Sequence, residues 1–386
     1  MPCCRNFSDG GERRGSFAPL RNQFVAILLV LLYACSCENS TDPKPVPANC
    51  RNGQSPCEHD VTQCCIDTTS HNFFWGLDTL GGPGSWVRDV SIVDQDNIWA
   101  CGLFTSDLAD FNVANWNGYS WIFYRVHTPT YYGNLAFGES TCILADSPND
   151  IWIMSYYGGY ARYNGDEWLG GYDSRISSCI NDIMSVGDSV YFCGSNSSVG
   201  FYDGVDFVSI NINSNYRMIH LSGSEDAEHI FALGQNNDGE SIVYHYSQGA
   251  WDVIIHSEDP SPTNQGEYGM IQSISAVSDT VYVSTYNGLL RYHYLHGTSQ
   301  YTSHNETVNP FFSPINSNSW NDLFILRNDF TIYHFNGDNW QSDNNVSDIV
   351  ESGSGFAHSG SANGSIVVLG GILFDQQYGI IARGYR

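Results

Sequence analysis

Four segments of the chain write the same sentence: VANWNGYSW at 113–121, YARYNGDEW at 160–168, the divergent VGFYDGVDF at 199–207, and IYHFNGDNW at 332–340. Each has an aromatic residue, then Asn-Gly or Asp-Gly, then a Trp or Phe four residues after the Asn or Asp. Asn-Gly between two short alternating apolar runs predicts a two-residue β-hairpin turn, in which both turn residues take positive φ. Each copy therefore reads as strand, tight turn, strand. The flanking aromatics bury large areas against neighbouring sheets, a commoner use of Trp and Tyr in strands than stacking on a sugar.

A second motif stands before each hairpin: a polar pair, then β-branched and aromatic residues. It reads DNIWACG at 96–102, NDIWIMS at 149–155, DSVYFCG at 188–194, EHIFALG at 228–234, DTVYVST at 279–285, NDLFIL at 321–326 and GSIVVLGG at 364–371. The aromatic falls at 99, 152, 191, 231, 282 and 324, and Val367 takes its place in the seventh copy. Upstream lies a further alternating run, as in VRDVSIV at 87–93, CILA at 142–145, INDIMSV at 180–186 and MIQSISAV at 270–277. One unit is thus four short strands, and the 316 residues from 71 to 386 hold seven units of roughly 45 residues each. Four strands at that period are the mark of a β-propeller, whose blades bury their faces only by stacking in a ring.

The ends decide the architecture. The last unit stops at GIIARGYR, 379–386, one strand short, while HNFFWGLDT at 71–79 resembles an outermost strand, with Trp75 in the place of Trp340. The expectation is an all-β, seven-bladed propeller over 71–386 in which strand 71–79 completes the last blade and leaves no open edge. A pair of β-sandwiches would not need that exchanged strand. No long helical period appears, which argues against an α/β enzyme fold.

The first 34 residues read as a signal peptide. Arg5, Arg13, Arg14 and Arg21 precede the apolar run FVAILLVLLY at 24–33, too short to span a bilayer. Leu32-Tyr33-Ala34-Cys35 is similar to a bacterial lipobox, so Cys35 is the expected lipidation site, although Tyr33 departs from the small-residue pattern. An ordinary signal peptide, a start at Cys37 and a later initiation near Leu20 are the alternatives. Residues 35–70 then form a polar, Pro-containing tether. Its Cys50, Cys57, Cys64 and Cys65 are disulfide candidates in an exported protein, with three possible pairings. Zinc is the rival reading, but the C-x6-C-x6-C-C spacing lacks the C-x2-C knuckle. Cys101 and Cys193 fall at equivalent points of non-adjacent blades and should not bond; with Cys142 and Cys179 they read as buried free thiols.

Charge excludes several partners. The chain has 15 basic and 41 acidic residues, net −26. Removing everything before Cys35 takes away four Arg, Asp9 and Glu12 and leaves 11 against 39, or −28. Nucleic acid and anionic lipid surfaces need clustered cations and are poor partners. The membrane is met only through the N-terminal lipid, and a monomer is expected. No cofactor or metal is expected beyond loosely bound calcium.

Catalysis on this fold would use charged groups at the mouth of the central channel. Arg88 and Asp89 in blade 1, Asp182 in blade 3 and His220 in blade 4 occupy such positions. Polar residues on inner strands more often hydrogen-bond a neighbouring blade. The sialidase pattern is absent: the turn has Asn directly before Gly rather than an Asp-box, and the VRDV around Arg88 lacks the usual arginine context. WD-repeat, kelch, zinc-protease, serine-hydrolase and phosphate-loop signatures are missing too. Asn236-Asn237-Asp238-Gly239 lacks the spaced carboxylates of a calcium loop and reads as a turn.

The N-D-I-W-A-x-G and Y-N-G-x-x-W repeats, the TSHNFFW segment at 69–75 and the lipobox-plus-tether start together resemble a loose group of bacterial exported propeller lipoproteins, mostly without assigned function. The resemblance covers most of the chain and implies fold rather than chemistry. The resulting expectation is a non-enzymatic lipoprotein anchored to the outer membrane, facing the periplasm or the cell surface, that binds an envelope protein or glycan. Its contacts would come from loops at 103–112, 235–241 and 256–269 and from Tyr131, Tyr132, Tyr156 and Tyr157. The bland reading of those tyrosines is rim packing. The rival function is a polysaccharide hydrolase or lyase at the channel mouth, and the third is a structural part of envelope assembly.

Overall fold

The computed structural model describes residues 54–56, 64–66 and 68–386, apart from 157, 176–179, 196, 213–214, 225–227, 259–268, 287, 304–313, 351–354 and 375–376. The signal-peptide and tether expectations, Cys35, Cys50, Cys57 and Cys179 lie outside the described residues. Cys64 and Cys65 lie in a short strand, Cys64–Ile66, paired with Gln54–Pro56, and their side chains are not described.

Seven four-stranded antiparallel sheets follow one another in the order the repeats demand. Their innermost strands are Trp86–Asp94, Ser140–Ser147, Ile180–Val186, Arg217–Gly223, Ile271–Val277, Ile315–Ser319 and Gly355–Asn363. Each sheet runs outward from its innermost strand through successive hairpins, three in each of the first six blades and two in the seventh. In the seventh, Phe74–Leu80 pairs antiparallel with Tyr378–Tyr385 and supplies the outermost strand. Trp75 faces Gly384 there as Trp340 faces Phe335 in blade 6, so the ring closes as expected, with the strand at 74–80 rather than 71–79.

The apolar core is divided into seven clusters, one in each seam between adjacent blades. The alternation of the second strands explains this. Ile98 and Ala100 face blade 7 while Trp99 faces blade 2; Ile151 and Ile153 face blade 1 while Trp152 faces blade 3. The repeated aromatic is thus the side chain each blade inserts into its successor, removing area from water worth about 2–3 kcal/mol apiece.

Two sequence expectations need correction. In the last blade Val368, not Val367, occupies the aromatic position. Gly370 pairs with Ser359 as Cys101 pairs with Asp89, and Val368 faces blade 1 whereas Val367 faces blade 6. The Asn-Gly turns are also not two-residue turns. Trp116 pairs with Trp121, leaving four residues between, and of Asn117 and Gly118 only the glycine has positive φ, 84°. The Asn is needed for its side chain: Oδ1 of Asn117 accepts the backbone N–H of Tyr119 and Ser120 at 3.0 and 2.9 Å. Asn164, Asp203 and Asn336 each accept two N–H groups in the same way. The true two-residue turn, with positive φ at both positions, is Gln248–Gly249 in blade 4.

Among the described residues no helix is long and apolar enough to cross a membrane. The helix Asn345–Val350, between blades 6 and 7, buries Val346 and Val350 in that seam.

Candidate functional site

Because every innermost strand starts at the same end of the ring, the connections between blades and those between second and third strands emerge there together. The expected binding loops 103–112 and 235–241 lie at this end, as does the described part of 256–269. The four-residue Asn-Gly turns lie at the opposite end.

A channel of about 680 Å³ opens along the axis, lined by all seven innermost strands. Six of those strands carry a one-residue bulge at an equivalent point, at Arg88, Thr141, Asn181, Ile219, Gln272 and His358, and all six residues line the channel. The innermost strand is an open edge whose alternate N–H groups have no ladder partner, and the residue after the bulge in the preceding blade supplies an acceptor. Asp89 Oδ2 accepts from Ile143 N–H at 2.9 Å, Asp182 Oδ2 from Leu221 N–H at 2.7 Å, and Ser273 Oγ from Ile315 N–H at 3.2 Å. The second carboxylate oxygens take the next N–H of their own strands, from Val90 and Ile183, both at 2.8 Å.

Thus Arg88, Asp89, Asp182 and His220 do share the channel, but each side chain is tied to the protein around it. Arg88 Nε pairs with Glu139, which also accepts from the Trp86 indole at 2.9 Å. His220 Nδ1 lies 3.4 Å from Asp182 Oδ2, and its Nε2 lies 3.3 Å from Ser273 Oγ. Burial pushes the Asp89 carboxyl up to about 7; the Ile143 and Val90 N–H groups oppose the rise and the Asp182 charge adds to it. The Asp182 carboxyl is raised by burial too, against the pull of His220 and of the Leu221 and Ile183 N–H groups. His358 is lowered to about 4, by burial first and by the Arg88 charge second, and so is neutral at the mouth. Cys101, Cys142 and Cys193 are buried free thiols behind these acids, pushed well up by burial. Among the described residues no group of three or more His, Cys, Asp or Glu is placed to hold a metal. Asn236 folds its loop into a turn, accepting from Asp238 and Glu240 N–H at 3.0 and 2.9 Å.

Tyr131 and Tyr132 sit at the tip of a small excursion between blades 1 and 2, whose strands Thr128–Pro129 and Leu135–Ala136 pair with each other. They are 70% and 84% exposed and meet edge to face at 5.3 Å. Tyr131 also meets Tyr172, the last residue of blade 2's outermost strand, edge to face at 5.9 Å, so the doublet is braced on that blade while both rings stay largely open to solvent. Tyr156 is exposed on the adjoining connection of blade 2, its N–H 3.5 Å from Glu139 O, and Tyr157 lies outside the described residues.

No protein-family profile matches the sequence, and no curated protein is significantly similar to it. Solved structures share the fold. One described as YCF48 bound to D1 peptide is 13% identical with a TM-score of 0.59, covering 83% of this chain and all of that one. YCF48 from Cyanidioschyzon merolae is 11% identical at a TM-score of 0.55, with 81% and 98% covered. PorZ, described as an essential surface component of the type-IX secretion system of Porphyromonas gingivalis, is 10% identical at a TM-score of 0.51. That match covers 78% of this chain and 38% of PorZ. At these identities the likeness is one of fold.

Proposed function

We propose that the chain is a non-enzymatic, exported lipoprotein whose propeller binds an envelope protein through the end where the inter-blade connections emerge. The observation that carries this reading is a division of labour. The side chains of Arg88, Asp89, Asp182 and His220 are occupied in bonds to neighbouring strands and connections, whereas the exposed aromatic doublet, braced on Tyr172, is presented on a loop at the same end. A general acid–base pair needs carboxyl oxygens able to reach a substrate. Both oxygens of Asp89 and of Asp182 already hold backbone N–H groups. A rigid ring presenting loops is the usual geometry of a binding module, and the fold accommodates a peptide in the YCF48 structure as described.

Export and anchoring at Cys35, with residues 35–70 as tether, complete the proposal, and the four tether cysteines would pair as disulfides outside the cytoplasm. No resident cofactor is part of it. The test is a crosslinked pull-down from the cell envelope alongside a glycan array, using the full mature chain. A reproducible protein partner and a clean array support the reading; a specific glycan hit with turnover of that glycan would replace it with the polysaccharide-active one.

A further inference from the structure

Resting on that reading, we infer that the partner presents a cationic, leucine-bearing peptide segment, and that it docks on the platform formed by two connections of blade 1, at 105–110 and 125–139. The two connections meet at their bases, through Asn112 of the strand that follows the first and through Arg125. Asn112 Nδ2 donates to Val126 O and Gly138 O at 2.9 and 3.0 Å, Val126 N–H returns a bond to Asn112 Oδ1, and Arg125 reaches Asp110 O at 3.4 Å. On this fixed base stand Leu108, 97% exposed, Leu135, 69% exposed, and the Tyr131–Tyr132 doublet. Four large apolar side chains exposed on one pair of joined loops mark an interaction patch rather than scattered surface residues.

Charge selects the occupant. Six of the nine described arginines are in ion pairs with carboxylates of the chain itself. Arg125, the cation of this platform, is held over the Phe137 ring at 4.2 Å. Asp107 and Asp110 flank the apolar side chains with no ion pair to any described residue, and the whole chain carries −26. An acidic field of this kind draws in cations and repels anions. Tyrosine faces accept Lys or Arg, and the leucines accept apolar neighbours of those cations. A polyanion such as a phosphate-bearing headgroup meets the two carboxylates of Asp107 and Asp110 here against the single guanidinium of Arg125.

The experiment measures fluorescence anisotropy of three labelled peptides of equal length, Lys/Leu, Glu/Leu and Ser/Gly, against the full mature chain. The Lys/Leu peptide should bind, and raising the salt to about 0.5 M should weaken it severalfold. Tyr131→Ser with Tyr132→Ser, and separately Asp107→Asn with Asp110→Asn, should each weaken it about tenfold. These side chains are on the surface, and unchanged circular dichroism establishes that the variants are folded. Equal binding of Glu/Leu, no binding of any peptide, or Lys/Leu binding untouched by both double variants overturns the inference. If an envelope partner is still captured by the tyrosine variant, the protein-binding reading survives and the platform assignment alone fails. A glycan hit with no protein partner sinks both.

Discussion

At the scale of single residues, two positions show why polar groups recur in the repeats. The Asn or Asp of each four-residue turn holds two N–H groups, and the presence of Asp203 in the divergent copy shows that a carboxylate serves equally. Asn164→Ala should therefore cost about 1 kcal/mol, the value of a lost side-chain cap, while Asn164→Asp should be nearly neutral; urea midpoints of the two variants check this. Asp89 presents the opposite case, a group whose ionised form is disfavoured. Its folded value of about 7 lies above the ordinary 3.8, so the stability it adds by binding a proton is full below about pH 4 and is lost as pH rises to 7. Asp89→Ala should remove that slope from a plot of unfolding free energy against pH. It should also cost about 1–3 kcal/mol at pH 5, where Ile143 N–H loses its acceptor. An unchanged slope would remove Asp89 as its source. Asp322 runs the other way. Burial raises it, but hydrogen bonds from His334, Arg386 and Asn318 outweigh that and hold it at about 2, so its contribution disappears only as pH falls from 4 towards 2.

At the scale of elements, the closing blade is fastened by a bond that sequence periodicity does not reveal. Trp75, in the outermost strand of blade 7, and Trp121, at the start of that of blade 1, hold equivalent positions. Each indole N–H donates to an Asp in the outermost strand of the preceding blade: Trp75 to Asp343 at 2.9 Å and Trp121 to Asp78 at 3.1 Å. Asp78 also pairs with Arg383, which stacks over Trp116 of blade 1 at 3.7 Å and donates to the Tyr385 hydroxyl of its own blade at 2.9 Å. In blades 2 and 4 the same indoles, of Trp168 and Trp251, are buried without a protein partner, since Tyr124 and Ile210 stand where the Asp would be. Reinforcement is thus present at the two seams where the ring is closed by strands from far apart in the chain. Asp78→Ala should lower stability by about 2–4 kcal/mol, because it leaves a buried guanidinium unpaired. Opening should begin at that seam, read as early loss of hydrogen-exchange protection in Phe74–Leu80. Protection lost first elsewhere would contradict it.

How much was legible follows from what each signal measures. Strand count, blade number and the exchanged end strand come from apolar alternation and repeat length, which are local and survive divergence. Asn-Gly is compatible with both a positive-φ Asn and an Asn that caps from its side chain, and only the pairing of Trp116 with Trp121 separates the two turn types. The run of four apolar residues from Ile366 to Leu369 carries no phase, so the sequence does not separate Val367 from Val368. Arg88, Asp89, Asp182 and His220 line the channel, yet what Asp89 and Asp182 bond depends on the open edge of the next blade's innermost strand, which the local sequence does not display. The signal for such a bond was a polar residue directly after the bulge position, as in Arg88-Asp89 and Asn181-Asp182.

At the scale of the whole molecule, the ring has one end built of uniform short turns and one end of varied connections, with a strongly acidic surface and a proposed lipid at its N-terminus. The anchor is tested by feeding cells labelled palmitate: the wild-type chain should incorporate it and Cys35→Ser should not, whereas label retained in the variant would move the site, with Cys37 as the next candidate. The central claim is that binding belongs to the varied end and blade joining to the channel carboxylates. Crosslinked capture of the envelope partner should be compared among the wild-type chain, folded Asp182→Asn, and Tyr131→Ser with Tyr132→Ser. The account predicts capture by the first two and loss in the third. Loss with Asp182→Asn and full capture by the tyrosine variant would place the function in the channel and contradict it.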